Sequence, residues 1–187
     1  MNQRVPTSRL GGSNLDVSRV GLGLMSLSGL YGESSDDNGV AVIHHALDCG
    51  IDFLDSADMY GWGHNETLLG RALRESSATR REPPVIATKF GQVKLESGGN
   101  GVDGRPEYVQ AACEASLRRL SLETIDLYYD DIIAIPGTKR IERIDDNLGA
   151  LDVQLSAEER QALADAFPPG AAAGTRYPAG GMKGVYI

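Results

Sequence analysis

The stretch Ile51-Asp52-Phe53-Leu54-Asp55-Ser56-Ala57-Asp58-Met59-Tyr60-Gly61 decides how this chain is read. Ile51 to Leu54 is a short apolar run of the kind that forms a buried strand, and a polar loop ending in an aromatic residue follows at once. A second segment repeats the arrangement. Val85-Ile86-Ala87-Thr88 reads as a strand introduced by Pro83-Pro84, with Lys89 directly after it. A carboxylate (Asp55), a phenol (Tyr60) and an amine (Lys89) at adjacent strand ends make a proton-donating site. The phenol is the acid, the ammonium stabilises the phenolate left behind, and the carboxylate holds the ammonium in place.

Working outward, strand and helix alternate over the first two-thirds of the chain. Leu10-Gly11-Gly12-Ser13-Asn14-Leu15-Asp16-Val17 predicts a small hairpin with a Gly/Asn turn ahead of the main fold. Val20 to Met25 predicts a first strand. Asp36 and Asp37 open a helix whose Val40, Ile43 and Leu47 recur at helical spacing, ending at Gly50. Leu68, Leu69, Ala72 and Leu73 mark a second helix. A third opens after Pro106 and carries Val109, Ala112, Cys113, Ser116, Leu117 and Leu120. Ile125 to Tyr129 predicts a fourth strand. Successive strand–helix–strand units imply right-handed crossovers and a parallel sheet. Asp55 and Lys89 then lie at the carboxyl ends of neighbouring strands, where parallel α/β folds place their chemistry.

The alternation breaks at Tyr128-Tyr129-Asp130-Asp131-Ile132-Ile133-Ala134-Ile135-Pro136, where two strand-like runs are separated only by aspartates. A parallel crossover needs a dozen or more residues. The runs therefore form one long strand, a tight antiparallel hairpin, or a join that folds badly. Beyond them Ile141, Ile144, Leu148 and Leu151 define another amphipathic helix. Ser156 and Glu159 predict a capping box for a last helix through Phe167, and the Gly/Ala/Pro-rich tail from Pro168 to Ile187 predicts irregular structure.

These motifs in this order resemble the aldo-keto reductases, NADPH-dependent carbonyl reductases built on a (β/α)₈ barrel. The resemblance rests on Arg9-Leu10-Gly11 with Val17-Ser18, Gly21-Leu22-Gly23, Asp55 to Gly61, Gly63-His64-Asn65-Glu66 with Leu69-Gly70, Thr88-Lys89, and Ile125-Asp126-Leu127-Tyr128-Tyr129. Ile135-Pro136-Gly137-Thr138 with Arg143 and Asn147 resembles the cofactor segment after the family's eighth strand. The segment between the fourth and eighth strands is missing. The resemblance implies an α/β fold, an incomplete (β/α)₈ barrel of about five parallel-type strands with surrounding helices and an N-terminal hairpin. It implies a single domain over 1–187, with 1–129 a half barrel and 132–187 the cofactor segment and tail. Five such strands cannot close with the tilt and shear of eight, so exposed edges are expected to promote self-association.

The same resemblance implies roles. Tyr60 protonates the carbonyl oxygen of an aldehyde or ketone, with Lys89 and Asp55 in support, while NADPH delivers hydride. Trp62 and His64, in the loop after the second strand, are expected to contact substrate. Thr138, Lys139, Arg140, Arg143, Asp146 and Asn147 are expected to hold NADP(H), the guanidinium of Arg143 and the nearby helix start suiting a phosphate. The family places a histidine two positions after the equivalent of Tyr129. Here the residue is Asp131, which cannot donate a proton when ionised and repels charge developing on the substrate oxygen. An impaired reductase is the expectation. The alternative is a non-catalytic remnant that binds nucleotide weakly or serves as an interaction protein.

Other chemistries find little support. Gly21-Leu22-Gly23-Leu24-Met25-Ser26 lacks the third glycine of a dinucleotide fingerprint. There is no P-loop lysine, no tyrosine with lysine four positions later, no paired-cysteine zinc spacing and no helical histidine pair, so no metal is expected. The chain has 187 residues, 41% hydrophobic and 24% charged, and its formal charge of −8 opposes nucleic-acid or anionic-membrane partners. No run approaches a membrane span, and Met1 to Pro6 has no apolar leader, so a cytoplasmic protein is expected, with Cys49 and Cys113 as free thiols.

Overall fold

The computed structural model describes residues 5–29, 32–76, 83–96, 98–127 and 135–166. Two compact units divide the chain, Met1–Ala150 and Leu151–Ile187. In the first, β1 (Thr7–Arg9) and β2 (Asp16–Ser18) form the predicted antiparallel hairpin, with Ser8 opposite Val17. Its apolar Leu10, Leu15 and Val17 pack with Phe53, Val85 and Ala87 of the sheet. Ser18 N–H donates to Asp52 Oδ1 at 2.6 Å and Asp52 N–H to Ser18 Oγ at 3.1 Å. The hairpin is thereby fastened to the entry of a sheet strand.

That sheet is parallel, ordered β3 (Leu22–Gly23), β4 (Phe53–Asp55), β5 (Val85–Ala87), with Leu54 paired to both Leu22 and Ile86. Single parallel bridges extend it on both sides, Gly23 to Gly137 and Ala87 to Leu127. Five parallel segments in this order are the expected incomplete barrel wall. The bridge at Gly23 needs glycine: a Cβ there would stand 2.7 Å from the carbonyl oxygen of Ile135. The regular strands are shorter than the predicted runs because pairing ends where the loops diverge. Of the predicted fourth strand the described part is the Leu127 bridge. Residues 128–134, which hold the ambiguous join and Asp130 and Asp131, lie outside the described residues.

Helices cover the sheet. A 3-10 turn at Met25–Ser28 follows β3, and α1 (Asp36–Asp48) begins at Ser35, whose side chain accepts from Asn38 N–H at 3.3 Å. Asp36 and Asp37 suit the positive end of the helix dipole. The buried Val40, Val42, Ile43 and Leu47 each contribute about 1.5–3 kcal/mol of apolar transfer. The second helix, α2 (His64–Ser76), starts earlier than its apolar pattern indicates, so His64 is its first residue rather than a loop residue. The turn Tyr60 to Gly63 feeds straight into it, with Asn65 N–H donating to Tyr60 O at 3.1 Å. Pro106 occupies the first turn of α3 (Pro106–Leu120), where a missing N–H costs nothing.

An antiparallel hairpin, β6 (Gln92–Lys94) and β7 (Asn100–Val102), was not expected from the sequence. Its Gly98-Gly99 turn, both residues at positive φ, was the available signal. Near the end of the unit come α4 (Glu142–Leu148) and a 3-10 turn at Gly149–Asp152. In the second unit the capping box forms as predicted at the start of α5 (Ala157–Ala166): Ser156 N–H donates to Glu159 Oε2 at 2.8 Å and Glu159 N–H to Ser156 Oγ at 3.1 Å.

Candidate active site

Asp55 ends β4 and Lys89 stands two residues past β5, so parallel pairing alone brings them together. The Lys89 ammonium donates to Asp55 Oδ1 and to the Ser56 carbonyl at 2.7 Å. The Asp55 side chain is 4% exposed while that of Lys89 is 44% exposed. A buried carboxylate thus holds a cation that faces outward. Lys89 Nζ lies 5.1 Å from the centre of the Tyr60 ring, within cation–π range. The three residues singled out in the sequence form one cluster. Their loop is braced by Asp58 N–H donating to Lys89 O and Ser56 N–H to Ala87 O, at 2.9 and 2.8 Å.

An open cavity of about 520 Å³ is lined by Leu27, Ser28, Gly29, Glu33 to Asp36, Gly61 and His64, and by none of the three clustered residues. His64 is committed on both ring nitrogens, Nδ1 to Ser28 Oγ at 3.0 Å and Nε2 to Asp36 Oδ1 at 2.9 Å. Asn65, missed in the sequence reading, explains why the chain turns here. It is buried, donates to Leu24 O and to Ser28 Oγ, both at 2.8 Å, and accepts from Ser56 Oγ at 2.7 Å. The segment after β3, the loop after β4 and the start of α2 are joined by one amide. Trp62 holds a positive φ of 55°, uncommon for a bulky residue, and one face of its ring lies 4.8 Å from Lys94 Nζ of the β6–β7 hairpin.

Beneath the loop lies a second missed group. Glu66 is fully buried, its Oε1 accepting from Thr88 Oγ1 at 2.6 Å and its Oε2 from Arg119 Nε at 2.7 Å. The signal was a charge on the apolar stripe of α2, in line with Leu69 and Gly70. Asp58 is close enough to feel it. Burial first, and the Glu66 charge second, push the Asp58 carboxyl up, and its Oδ1 is buried without a hydrogen-bond partner. A raised carboxyl contributes stability below its unfolded value, near 3.8, that is lost as pH rises through the folded value. Asp58→Asn is therefore expected to melt above the parent at pH 7, with the gain shrinking as pH falls towards 4. Melting both proteins across about pH 4–7 checks this, and a difference that grows on acidification contradicts it.

The proposed cofactor residues occupy one segment. The Thr138 carbonyl accepts from Ser26 Oγ at 3.0 Å, and the Thr138 hydroxyl is engaged in its own turn, accepting from Arg140 N–H at 3.0 Å. Lys139 O accepts from Asn38 Nδ2 at 2.9 Å, and its ammonium reaches over Gly32. Arg143 Nη1 donates to Asp146 Oδ2 at 2.8 Å, both side chains exposed. Asn147 is half-buried in α4, and Arg140 is exposed. Glu142 and Asp145 place negative charge in the first turn of α4, which opposes an anion there.

The aldo/keto reductase family model matches residues 19–133, which include Asp55, Tyr60 and Lys89. The chain belongs to the aldo/keto reductase family. It is 40% identical over 148 residues to the aldo-keto reductase yakc (NADP(+)) of Schizosaccharomyces pombe, covering 79% of this chain and 41% of that protein. Among solved structures it is similar to a holo-form aldo-keto reductase from Bacillus halodurans, with TM-score 0.57, 36% identity, and coverage of 67% of this chain and 39% of that one. A glycerol dehydrogenase from Gluconobacter oxydans matches with TM-score 0.55 and 32% identity, over 87% of this chain and 52% of that one. This aldo/keto reductase chain spans about two-fifths of the curated relative, 41% of its length. No helix among the described residues is long and apolar enough to cross a membrane.

Proposed function

We propose that this chain is an impaired NADP(H)-dependent carbonyl reductase that converts an aldehyde or ketone to an alcohol, with Tyr60 as the acid. The observation that carries this reading is the Lys89 ammonium, fixed by Asp55 and the Ser56 carbonyl 5.1 Å from the Tyr60 ring. When bound, NADPH supplies hydride to the carbonyl carbon. The Tyr60 O–H gives its proton to the carbonyl oxygen, and the phenolate that remains faces the ammonium before taking a proton back from solvent. Asp55 keeps the ammonium from swinging into water. His64 and the cavity it lines bound the space for the substrate, with Trp62 in the same turn.

Lys139, Arg140 and Arg143 suit the phosphates of NADP(H) in charge, with Thr138 shaping their turn and Asp146 and Asn147 alongside. The Arg143–Asp146 pair must open for the guanidinium to engage a phosphate, and nearby carboxylates subtract from the attraction. Affinity should be weak. Asp131, in place of the family's histidine, removes a donor aimed at the substrate oxygen, an interaction worth roughly 10²–10³ in turnover. The expected result is NADPH consumption with a generic aldehyde at least a hundredfold or so below that of a full-length family member. Tyr60→Phe should abolish what remains. A normal rate overturns the impairment, and a rate indifferent to Tyr60→Phe overturns the role of Tyr60.

The single bridges at Gly137 and Leu127 favour a second reading, in which the sheet edges pair with another chain and no reduction occurs. NADPH binding without turnover, together with concentration-dependent association on size exclusion, distinguishes it.

A further inference from the structure

The residue types at one corner of the helical layer suit a metal, through a mixed histidine–cysteine pair rather than paired cysteines or paired histidines. His45 and Cys49 stand four residues apart at the end of α1, so one helical turn brings both side chains to the same face. Cys49 caps the helix, its N–H bonded to the His45 carbonyl, so the geometry persists to that residue. Asp145 approaches from α4. His45 Nε2 lies 3.1 Å from Asp145 Oδ1 and 3.4 Å from Cys49 Sγ, and Cys49 Sγ lies 3.9 Å from the same carboxylate oxygen.

Without a metal, hydrogen bonds link the three, the imidazole N–H and the thiol both able to donate to Asp145 Oδ1. Bonds of about 2.0–2.3 Å at tetrahedral angles place N, O and S ligands roughly 3.3–3.6 Å apart. The observed separations are within a few tenths of an ångström of one face of such a tetrahedron. We propose that His45, Cys49 and Asp145 form a site for a divalent transition metal of the zinc type that ties α1 to α4.

Thiolate with imidazole selects zinc, cobalt or nickel over magnesium and calcium. Three protein ligands at a partly exposed corner leave the fourth position to water. On binding, the Cys49 S–H bond breaks, its proton goes to solvent, and the sulfur lone pair forms the bond to the metal. Asn38 of the same helix already holds the Lys139 carbonyl, so the metal would add a tie from α1 to α4 itself.

Titrating the reduced full chain with Co2+ should give a thiolate-to-cobalt charge-transfer band that saturates at about one equivalent, yields to Zn2+ and ignores Ca2+ and Mg2+. Zn2+ at about a hundredfold excess over its Kd should raise Tm by about 5–10 °C. Cys49→Ser should remove the band, and His45→Ala and the exposed Asp145→Asn should each weaken binding at least about tenfold. Cys113→Ser should change nothing. The assignment is overturned by absence of the band, by its loss in Cys113→Ser, or by binding indifferent to both His45→Ala and Asp145→Asn.

Discussion

Glu66→Ala is expected to destabilise the chain by about 3–5 kcal/mol, read as a lowered urea midpoint with unchanged slope. Glu66 is the most completely buried charge in the described fold, at 0% exposure. Its two oxygens are both used, one by the hydroxyl of Thr88, just past β5, and one by Arg119 near the end of α3. Removing the carboxylate leaves a guanidinium whose side chain is only 29% exposed, and a buried hydroxyl without its acceptor. Most of the cost is that unpaired charge, not the lost attraction. Adding Arg119→Met to Glu66→Ala should therefore recover part of the loss. If Glu66→Ala costs less than about 1 kcal/mol, the pair is no more than a surface contact.

Gly70→Ala should cost about 2–3 kcal/mol, although alanine is the better helix former by about 1 kcal/mol. A Cβ at Gly70 would stand 2.6 Å from the carbonyl oxygen of Arg119 and 2.7 Å from that of Leu120. Both obstacles are backbone, so a rotamer change cannot clear them and α2 must move off α3. Gly39 offers the contrast. There the new Cβ meets the end of the Leu68 side chain at 2.8 Å, a group able to turn aside. Gly39→Ala should fall within about 1 kcal/mol of the parent by thermal and urea unfolding. Equal losses at both positions would remove the backbone explanation. Because Glu66 and Gly70 face the same turn of α3, their effects should not add.

Much of the candidate site was legible because its chemistry is local to two loops. Asp55 and Tyr60 are five residues apart, Lys89 follows its own strand, and a parallel register does the rest. The N-terminal hairpin, the start of α1 at Asp36 and Asp37 and the Ser156–Glu159 capping box follow from turn and cap chemistry that acts over a few residues. The β6–β7 hairpin was lost because its strands have only three residues each and no apolar alternation. Glu66 was quoted within a motif, but its burial depends on Arg119, 53 positions away.

The sequence by itself determined the order of the parallel strands and their helices, the family, and which three side chains make up the candidate proton-donating site, since these depend on short spacings and apolar periodicity. Only the tertiary structure decided that His64 is held at both nitrogens, that Asp58 is pushed towards its neutral form, and that His45, Cys49 and Asp145 meet. Each of these is a matter of distance between segments far apart in the chain. Burial, charge proximity and ligand convergence are set by packing, and no local pattern encodes them.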